Sequence, residues 1–479
     1  MTVWRSHKRI ILHKRRQARR KIKRLNFKKM GKIKKKKGQV RNISEITVIN
    51  HYAGGIDVSD TEMMVAYPID SKQLVVEPFG CFTCDLKEIV ETLKKHDITS
   101  VAMESTGVYW VSLFLLLQEN GIEVSLVNAK HVKNVTGRKD DEGDAEWIQK
   151  LHRCGLLQAS FQPDNMTRTL RSMMRHRKSL VQTSSSFINR MQKALELMNI
   201  KLHTVISDID GKTGLSIIKA ILDGERRPEV LAELRDKRIK ATKEEIIKSL
   251  EGYWIKEHLF ELRQSYELYL ILKEKINECD REIEKQLLEQ IASKNDGIIP
   301  DFSKTKIQRK PSGKSRLPFN ATLYLQNLLG VDVTKIFGIN ELSALAIVSE
   351  VGTDMSKWKT SGHFTSWLGS APNTKISGGK IISSKIMRKK HHAGQAFRMA
   401  AQGLTNSKGP MAEFYKRIKA KAGPGKAIIA TARKLAVIWY NMIANQQAFN
   451  PKLLEDYQHK HKEKQINYLK RKLQSLEAA

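Results

Sequence analysis

The run from Val48 to Val127 constrains the fold more than any other stretch of the chain. Gly54-Gly55-Ile56-Asp57-Val58 and Glu62 to Ile69 read as two strands joined by a polar turn at Ser59-Asp60. Leu74 to Thr83 reads as a third strand. Leu86 to His96 has apolar residues at 86, 89, 90 and 93, the spacing of a helix with one buried face. Thr99 to Met103 is a short apolar strand ending in Glu104-Ser105. Val108 to Gln118 then reads as an apolar helix, and Glu123 to Val127 as a fifth strand before a further helix. Strands joined by tight turns pair antiparallel, whereas strands separated by a helix pair parallel. The expected fold class is therefore α/β at the N-terminal end, with an antiparallel opening meander and a parallel continuation.

That succession is the order of the ribonuclease-H-like fold used by RuvC-type nucleases. The acids fall at telling places within it. Asp57 lies in the first strand, Glu104 ends the fourth, and Asp141 and Asp144 lie near the start of the helix after the fifth. The last two are spaced i, i+3 and share a helical face. Carboxylates gathered without basic partners repel and raise one another's pKa. Hard divalent cations such as Mg²⁺ remove that cost. Two such ions about 4 Å apart can activate an attacking oxygen and stabilise a leaving one. Each acid taken singly also suits an ordinary role: Asp57 a strand-end turn, Asp141 a helix start that complements the dipole.

Composition bears on the partner. The 479 residues carry a formal net charge of +35 with pI about 9.9, which calls for a polyanion. Residues 1–42 hold nineteen Lys or Arg and no Asp or Glu, so 1–44 is expected to be a disordered basic arm that binds phosphates. No uninterrupted apolar run approaches the roughly 18 to 20 residues of a membrane span, so no membrane partner is expected. The first residues lack an apolar signal region. Cys81, Cys84, Cys154 and Cys279 make no disulfide framework and fit reduced thiols in a cytoplasmic, nucleoid-associated protein. Cys81-x-x-Cys84 lacks the second pair of a zinc site and lies in a strand-like run.

Beyond residue 145 the pattern is helical. Leu170 to Met198 is one basic amphipathic helix, and Lys243 to Gln290 reads as a long helical hairpin or coiled coil. Ser293 to Arg316, with Pro300, Pro311 and Gly313, reads as a linker. Ile336-Phe337-Gly338-Ile339-Asn340 leads into a helix from Glu341 to Val351, resembling a helix-hairpin-helix whose loop amides contact a phosphate backbone. Next comes Ser377-Gly378-Gly379-Lys380, where glycines leave a serine hydroxyl uncrowded. Lys380, Lys385, Arg388, Lys389 and Lys390 supply charge suited to a phosphate, with Lys380, Arg388 and Lys389 the expected nucleic-acid contacts. Helices at about 391–405, 411–420 and 425–446 complete the chain before a basic tail.

These segments resemble the DEDD transposases of the insertion-sequence one-ten family, the bridge-RNA-guided recombinases. The resemblance rests on GIDVSD around Asp57, VAMESTGVYW around Glu104, and GRKDDEGDAEWIQKLHRCGLL around Asp141 and Asp144. IFGINELSALAIVSEVG and HFTSWLGSAPNTKISGGK extend it downstream, so that it covers roughly 50 to 445. It implies a RuvC-like catalytic domain over 45–160, a helical coiled-coil domain over 161–292 and a linker over 293–324. A mainly helical serine transposase domain over 325–450 and the tail 451–479 follow. It further implies that Asp57, Glu104, Asp141 and Asp144 bind Mg²⁺ and that Ser377 is a nucleophile joining covalently to DNA. The implied partners are donor and target DNA, a structured guide RNA, and further copies of the chain in a dimer or tetramer. The family reads Lys-Thr-Asp-x-x-Asp where this chain has Lys139-Asp140-Asp141, so Asp140 stands as an alternative ligand. Two other readings remain open at this level: a junction nuclease in which Ser377 is only a turn, and a non-catalytic RNA-binding scaffold.

Overall fold

The computed structural model describes residues 48–70, 73–128, 141–302, 317–386 and 391–452, with scattered positions between 463 and 474; for Asp141 and Glu142 it describes the backbone alone. The basic arm 1–42, residues 303–316 of the expected linker, and Arg388, Lys389 and Lys390 lie outside the described residues. The chain forms two compact units, Met1–Phe161 and Gln162–Ala479.

The first unit is built on a five-stranded sheet of order β3-β2-β1-β4-β5. Its strands are β1 (Ala53–Val58), β2 (Met63–Pro68), β3 (Leu74–Phe79), β4 (Ser100–Glu104) and β5 (Glu123–Val127). β1, β2 and β3 pair antiparallel, while β1–β4 and β4–β5 pair parallel, so the mixed sheet expected from connection lengths is the one that forms. Helices α1 (Thr83–Lys95) and α2 (Trp110–Glu119) follow β3 and β4, and α3 (Asp141–Arg153) follows β5.

Alternation sorts the side chains between two covered faces. Ile56, Val58, Val65, Val101 and Met103 join Ile89, Leu93, Leu113 and Phe114 of α1 and α2 in one core. Of the intervening residues, Met64 and Ala66 pack with Ala145 of α3, and Ala102 packs with its Ile148. Burial on both faces explains why β1 and β2 read as nearly continuous apolar runs.

The third strand is shorter than its expected end at Thr83. It stops at Phe79, because Asp85 folds back and its Oδ2 accepts the Phe82 amide at 2.9 Å, which opens α1 at Thr83. Cys81 and Cys84 thus sit at a helix start rather than in a strand, and all four cysteines are free.

The second unit starts with α4 (Asn165–Leu197), a 33-residue helix. Short helices α5 (Leu202–Val205), α6 (Lys212–Leu222), α7 (Pro228–Ala232) and α8 (Lys243–Leu250) follow, and then the 39-residue α9 (Lys256–Lys294). The segment 243–290 comprises α8 and most of α9, separated between Leu250 and Lys256. Tyr253 donates its amide to the Met198 carbonyl at 2.8 Å, and a Cβ on Gly252 would stand 2.4 Å from that same oxygen. This close crossing turns α9 back along α4. Arg177 pairs with Asp280 at one end, while Met191 and Ala194 share a core with Leu262 and Tyr269 toward the other, so α4 and α9 run antiparallel.

The C-terminal part holds α10 (Ala321–Leu329), a 3-10 turn (Val333–Lys335), α11 (Glu341–Val351) and α12 (Ser361–Trp367). A hairpin of β6 (Lys375–Ser377) and β7 (Lys380–Ser383) precedes α13 (His392–Gly403), α14 (Pro410–Ala422) and α15 (Pro424–Ala444). Phe364, Phe397 and Trp439 are fully buried at its centre, with Phe364 and Phe397 edge to face at 6.3 Å. Helix α15 is long and apolar enough by length and composition to cross a membrane, although Lys426, Arg433 and Lys434 interrupt its apolar residues. Its Ala432, Leu435, Ala436 and Trp439 are buried in the unit, as in the core helix of a globular domain.

Candidate catalytic residues

Strand register brings the first two acids together. β1 and β4 are parallel neighbours with Ile56 opposite Met103, so Asp57 and Glu104 occupy the next matched position at their C-terminal ends. Ile56 and Met103 are both buried under α1 and α2. By alternation Asp57 and Glu104 therefore face the side covered by α3. The Asp57 Oδ1 accepts the Val58 amide at 3.0 Å, and Thr106 donates its hydroxyl to the Glu104 carboxylate at 3.2 Å.

Helix α3 runs antiparallel to β1. At its C-terminal end the Arg153 carbonyl accepts the Ile49 and Asn50 amides at 3.0 Å, and Gln149 donates its carboxamide to the Ala53 carbonyl at 3.0 Å. The N-terminal turn, which carries Asp141 and Asp144, is accordingly directed toward the end of β1 that holds Asp57. Gly55 makes this approach possible. A Cβ there would lie 2.3 Å from the Gln149 amide nitrogen and 2.5 Å from the Ala145 carbonyl oxygen. His152, near the far end of α3, is within 3.1 Å of the Ser100 hydroxyl. Burial holds its pKa below the usual histidine range, against the opposing charge of Glu123.

The four acids thus share one end of one sheet–helix layer. Among the described residues no group of three or more His, Cys, Asp or Glu side chains stands close enough to hold a metal ion. Asp141 is described only as the first residue of α3, and Asp140 lies outside the described residues. The donor set is nonetheless chemically suited to a hard cation, being all carboxylate oxygen.

Ser377 belongs to the second unit. It is the last residue of β6 and pairs with Lys380, the first of β7, across Gly378 and Gly379. Both glycines have positive φ, +56° and +74°, which a tight two-residue hairpin turn requires. The serine expected in a basic loop is instead at the mouth of a hairpin, exposed beside Lys375 and Lys380. The hairpin was legible in principle, since Gly-Gly stands between Lys-Ile-Ser and Lys-Ile-Ile. Neither of its faces is buried, since Ile376, Ile381 and Ile382 are exposed at 64%, 66% and 69%.

Sequence reasoning also missed what seats α11 on α4. Buried Glu350 accepts Arg175 Nε at 2.8 Å and Arg175 Nη2 at 2.9 Å, and its carbonyl accepts Arg171 Nη2 at 2.6 Å. At the start of α4, Asp164 caps the Thr167 amide at 2.8 Å. Burial alone pushes the Asp164 carboxyl up, but the Thr167 amide and hydroxyl together with Lys357 hold it below its ordinary value. The carboxylate pairing of Glu350 is unreadable from sequence because its arginine partners lie in a distant helix.

Two family comparisons bear on these sites. A transposase family model, that of the DEDD transposases of the IS110 group, matches residues 54–200 and so takes in all four acids. A second, described as transposase IS116/IS110/IS902 family, matches residues 332–416 and takes in Ser377 and its hairpin. No curated protein matches the chain. With both regions matched, the protein is a transposase, an enzyme that cuts and transfers DNA strands. Both matched regions are similar to transposases of the IS110 type.

Proposed function

We propose that this transposase carries out Mg²⁺-dependent strand cleavage and exchange through a ribonuclease-H-like acidic site and the serine nucleophile Ser377. The observation that carries the reading is the matched register of Asp57 and Glu104 at the ends of adjacent parallel strands, beneath the end of α3 that bears Asp141 and Asp144. Asp57, Glu104, Asp141 and Asp144 would hold the metal. Bound there, Mg²⁺ supplies charge neutralisation for a phosphodiester in reaction.

The chain's own residues divide the remaining work. Ser377 is exposed at the end of β6, beside a Gly378-Gly379 turn with open space where side chains would stand. Its Oγ attacks phosphorus, forming an Oγ–P bond as one backbone P–O bond breaks. The serine proton is taken by a base, and the departing sugar oxygen takes up a proton in turn. Lys380, paired directly with Ser377, stabilises the charge that develops on the phosphate oxygens, with Arg388 and Lys389 as further phosphate contacts. Ser377 and the acids belong to separate compact units, and we assign the serine of one copy to the acidic site of another, in a dimer or tetramer. A structured guide RNA would choose donor and target DNA, since phosphate contacts of this kind read no bases.

Peptide mapping of a trapped adduct tests the proposal. Wild-type protein with Mg²⁺, DNA bearing the element ends and its guide RNA should form a denaturation-resistant DNA adduct at Ser377. Ser377→Ala should bind the same DNA and form none. Attachment at Ser383 or Ser384 would move the nucleophile. Efficient cleavage by Ser377→Ala without an adduct in either protein would point to a junction nuclease. Alanine at Asp57, Glu104, Asp141 or Asp144 should each abolish recombination with helicity unchanged; activity retained in any one of them removes it from the site.

A further inference from the structure

The two long antiparallel helices differ sharply in charge. Between Asn165 and Leu195, α4 has seven Lys or Arg and no Asp or Glu. Helix α9 has nine Asp or Glu against seven Lys or Arg over its length, and balances them locally. Lys275 pairs with Glu278 at 2.9 Å, and Lys285 with Glu282 at 3.9 Å. A helix face that is merely solvated carries such i, i+3 and i, i+4 pairs, because like charges at those spacings are destabilising. Over its whole length α4 has one acid, Glu196 in its last turn, which pairs with Lys201 and His203, while Arg171 and Arg175 meet Glu350 and Arg177 meets Asp280 on other elements.

Burial shows which face the cations occupy. Leu170, Arg177, Ser184, Met191 and Ala194 are buried against the rest of the unit. Arg175, Lys178, Gln182, Ser186, Arg190 and Lys193 fall on the opposite side at helical spacing, and all six are exposed. From Arg175 to Lys193 this face extends about 27 Å at 1.5 Å per residue, most of one turn of duplex DNA at about 34 Å. Its residue types, cations interleaved with amide and hydroxyl side chains, are those that contact phosphate oxygens. A cationic field of this kind also reaches His392 at the head of α13. Its pKa is lowered first by burial and, against the pull of Glu350, by Arg175, Lys178 and Arg171.

We infer that the exposed face of α4 is a docking surface for the phosphate backbone of duplex DNA, separate from the residues that react. Arg175 already meets Glu350, so the polyanion's negative charge would be set against Lys178, Arg190 and Lys193, and the contacts are independent of base sequence. DNA is the polyanion on which this enzyme acts, and a straight cationic ridge suits the side of a duplex. The inference does not rest on the assignment of Ser377 or of the acids.

The test is a salt titration of binding to a random-sequence DNA duplex, with an RNA duplex of the same length in parallel. The full-length triple variant Lys178→Gln, Arg190→Gln, Lys193→Gln is compared with wild type. Loss of three phosphate contacts should lower the slope of log affinity against log salt by about 2.7, at roughly 0.9 per contact. The charge-keeping variant Lys178→Arg, Arg190→Lys, Lys193→Arg should retain the wild-type slope, and both should keep wild-type helicity by circular dichroism. Contributions from other basic segments cancel in the difference. Ser377→Ala should bind with the wild-type slope, which separates this outcome from failure of the catalytic reading. An unchanged DNA slope in the triple variant overturns the inference. So does a fall seen with RNA and not with DNA, which would assign the face to RNA.

Discussion

Gly55→Ala is the substitution that most directly probes how the acidic site is assembled. It adds one methyl group, but the new Cβ would meet the Gln149 amide nitrogen at 2.3 Å, the Ala145 carbonyl oxygen at 2.5 Å and the Gln149 Cα at 2.7 Å. All three are backbone atoms of α3, so no rotamer change relieves the contact. Restoring an ordinary 3.4 Å separation from 2.3 Å requires α3 and β1 to part by 1.1 Å. Overpacking of this sort costs about 1–3 kcal/mol in stability. A misplacement of about 1 Å of positioned groups can also cost on the order of 10²-fold in rate. The expected result is a protein that folds, melts several degrees lower and recombines DNA at a small fraction of the wild-type rate. Gly54→Ala is the internal control, since its Cβ would meet only the Val101 Cγ1 at 3.0 Å and more distant atoms. Thermal melts and an in-cell recombination assay on the two variants decide the matter. Wild-type activity and melting in Gly55→Ala would refute the claim that close approach of α3 sets the site.

The buried pair of Arg177 and Asp280, with side chains 4% and 2% exposed, should behave as a unit. Asp280→Leu alone should cost about 3–5 kcal/mol by chemical denaturation, whereas Arg177→Met with Asp280→Leu should be close to neutral. Tyr67 donates its hydroxyl to Glu77 at 2.5 Å, and burial followed by that carboxylate pushes the phenol from 10.0 up to about 12. The folded state thus holds this proton more tightly than the unfolded chain. Its contribution is fully present below pH 10 and is lost as pH rises toward 12. Tyr67→Phe should remove that part of the alkaline stability loss, read as the difference between wild-type and variant denaturation curves from pH 9 to 12.

The mixed sheet was legible because its strands are short, apolar and separated by unambiguous turns or helices. Connection length then decides parallel from antiparallel, and the observed β1 to β5 follow that logic. The end of β3 was not legible, since Cys81-Phe82-Thr83 continues an apolar run and only the backward reach of Asp85 ends it. The placement of Asp57 and Glu104 could be read as strand ends; their matched register could not, because register emerges only when β1 and β4 pair. The long helices were visible in their periodicity. Their pairing was hidden, as nothing local in Arg177 announces a partner at Asp280. Ser377 stands out in the sequence as a glycine-flanked hydroxyl, but the hairpin around it was hidden because neither of its faces is buried.

The parallel pairing of β1 with β4 makes the spacing of the two acids independent of how far apart they lie along the chain. Extra residues in the connection after Pro68 lengthen the path from Asp57 to Glu104 without altering their separation in space, because the ladder of Ala53–Ser100 to Ile56–Met103 fixes the alignment. A single residue gained or lost inside either strand has the reverse effect. It leaves the chain length nearly unchanged yet turns one carboxylate toward the apolar core beneath α1 and α2. Related sequences should therefore vary freely in the length of the β2–β3 connection, while the intervals Gly54 to Asp57 and Val101 to Glu104 stay constant to the residue. Alignment of the acids is a matter of phase, and the sheet tolerates long detours but no half-steps.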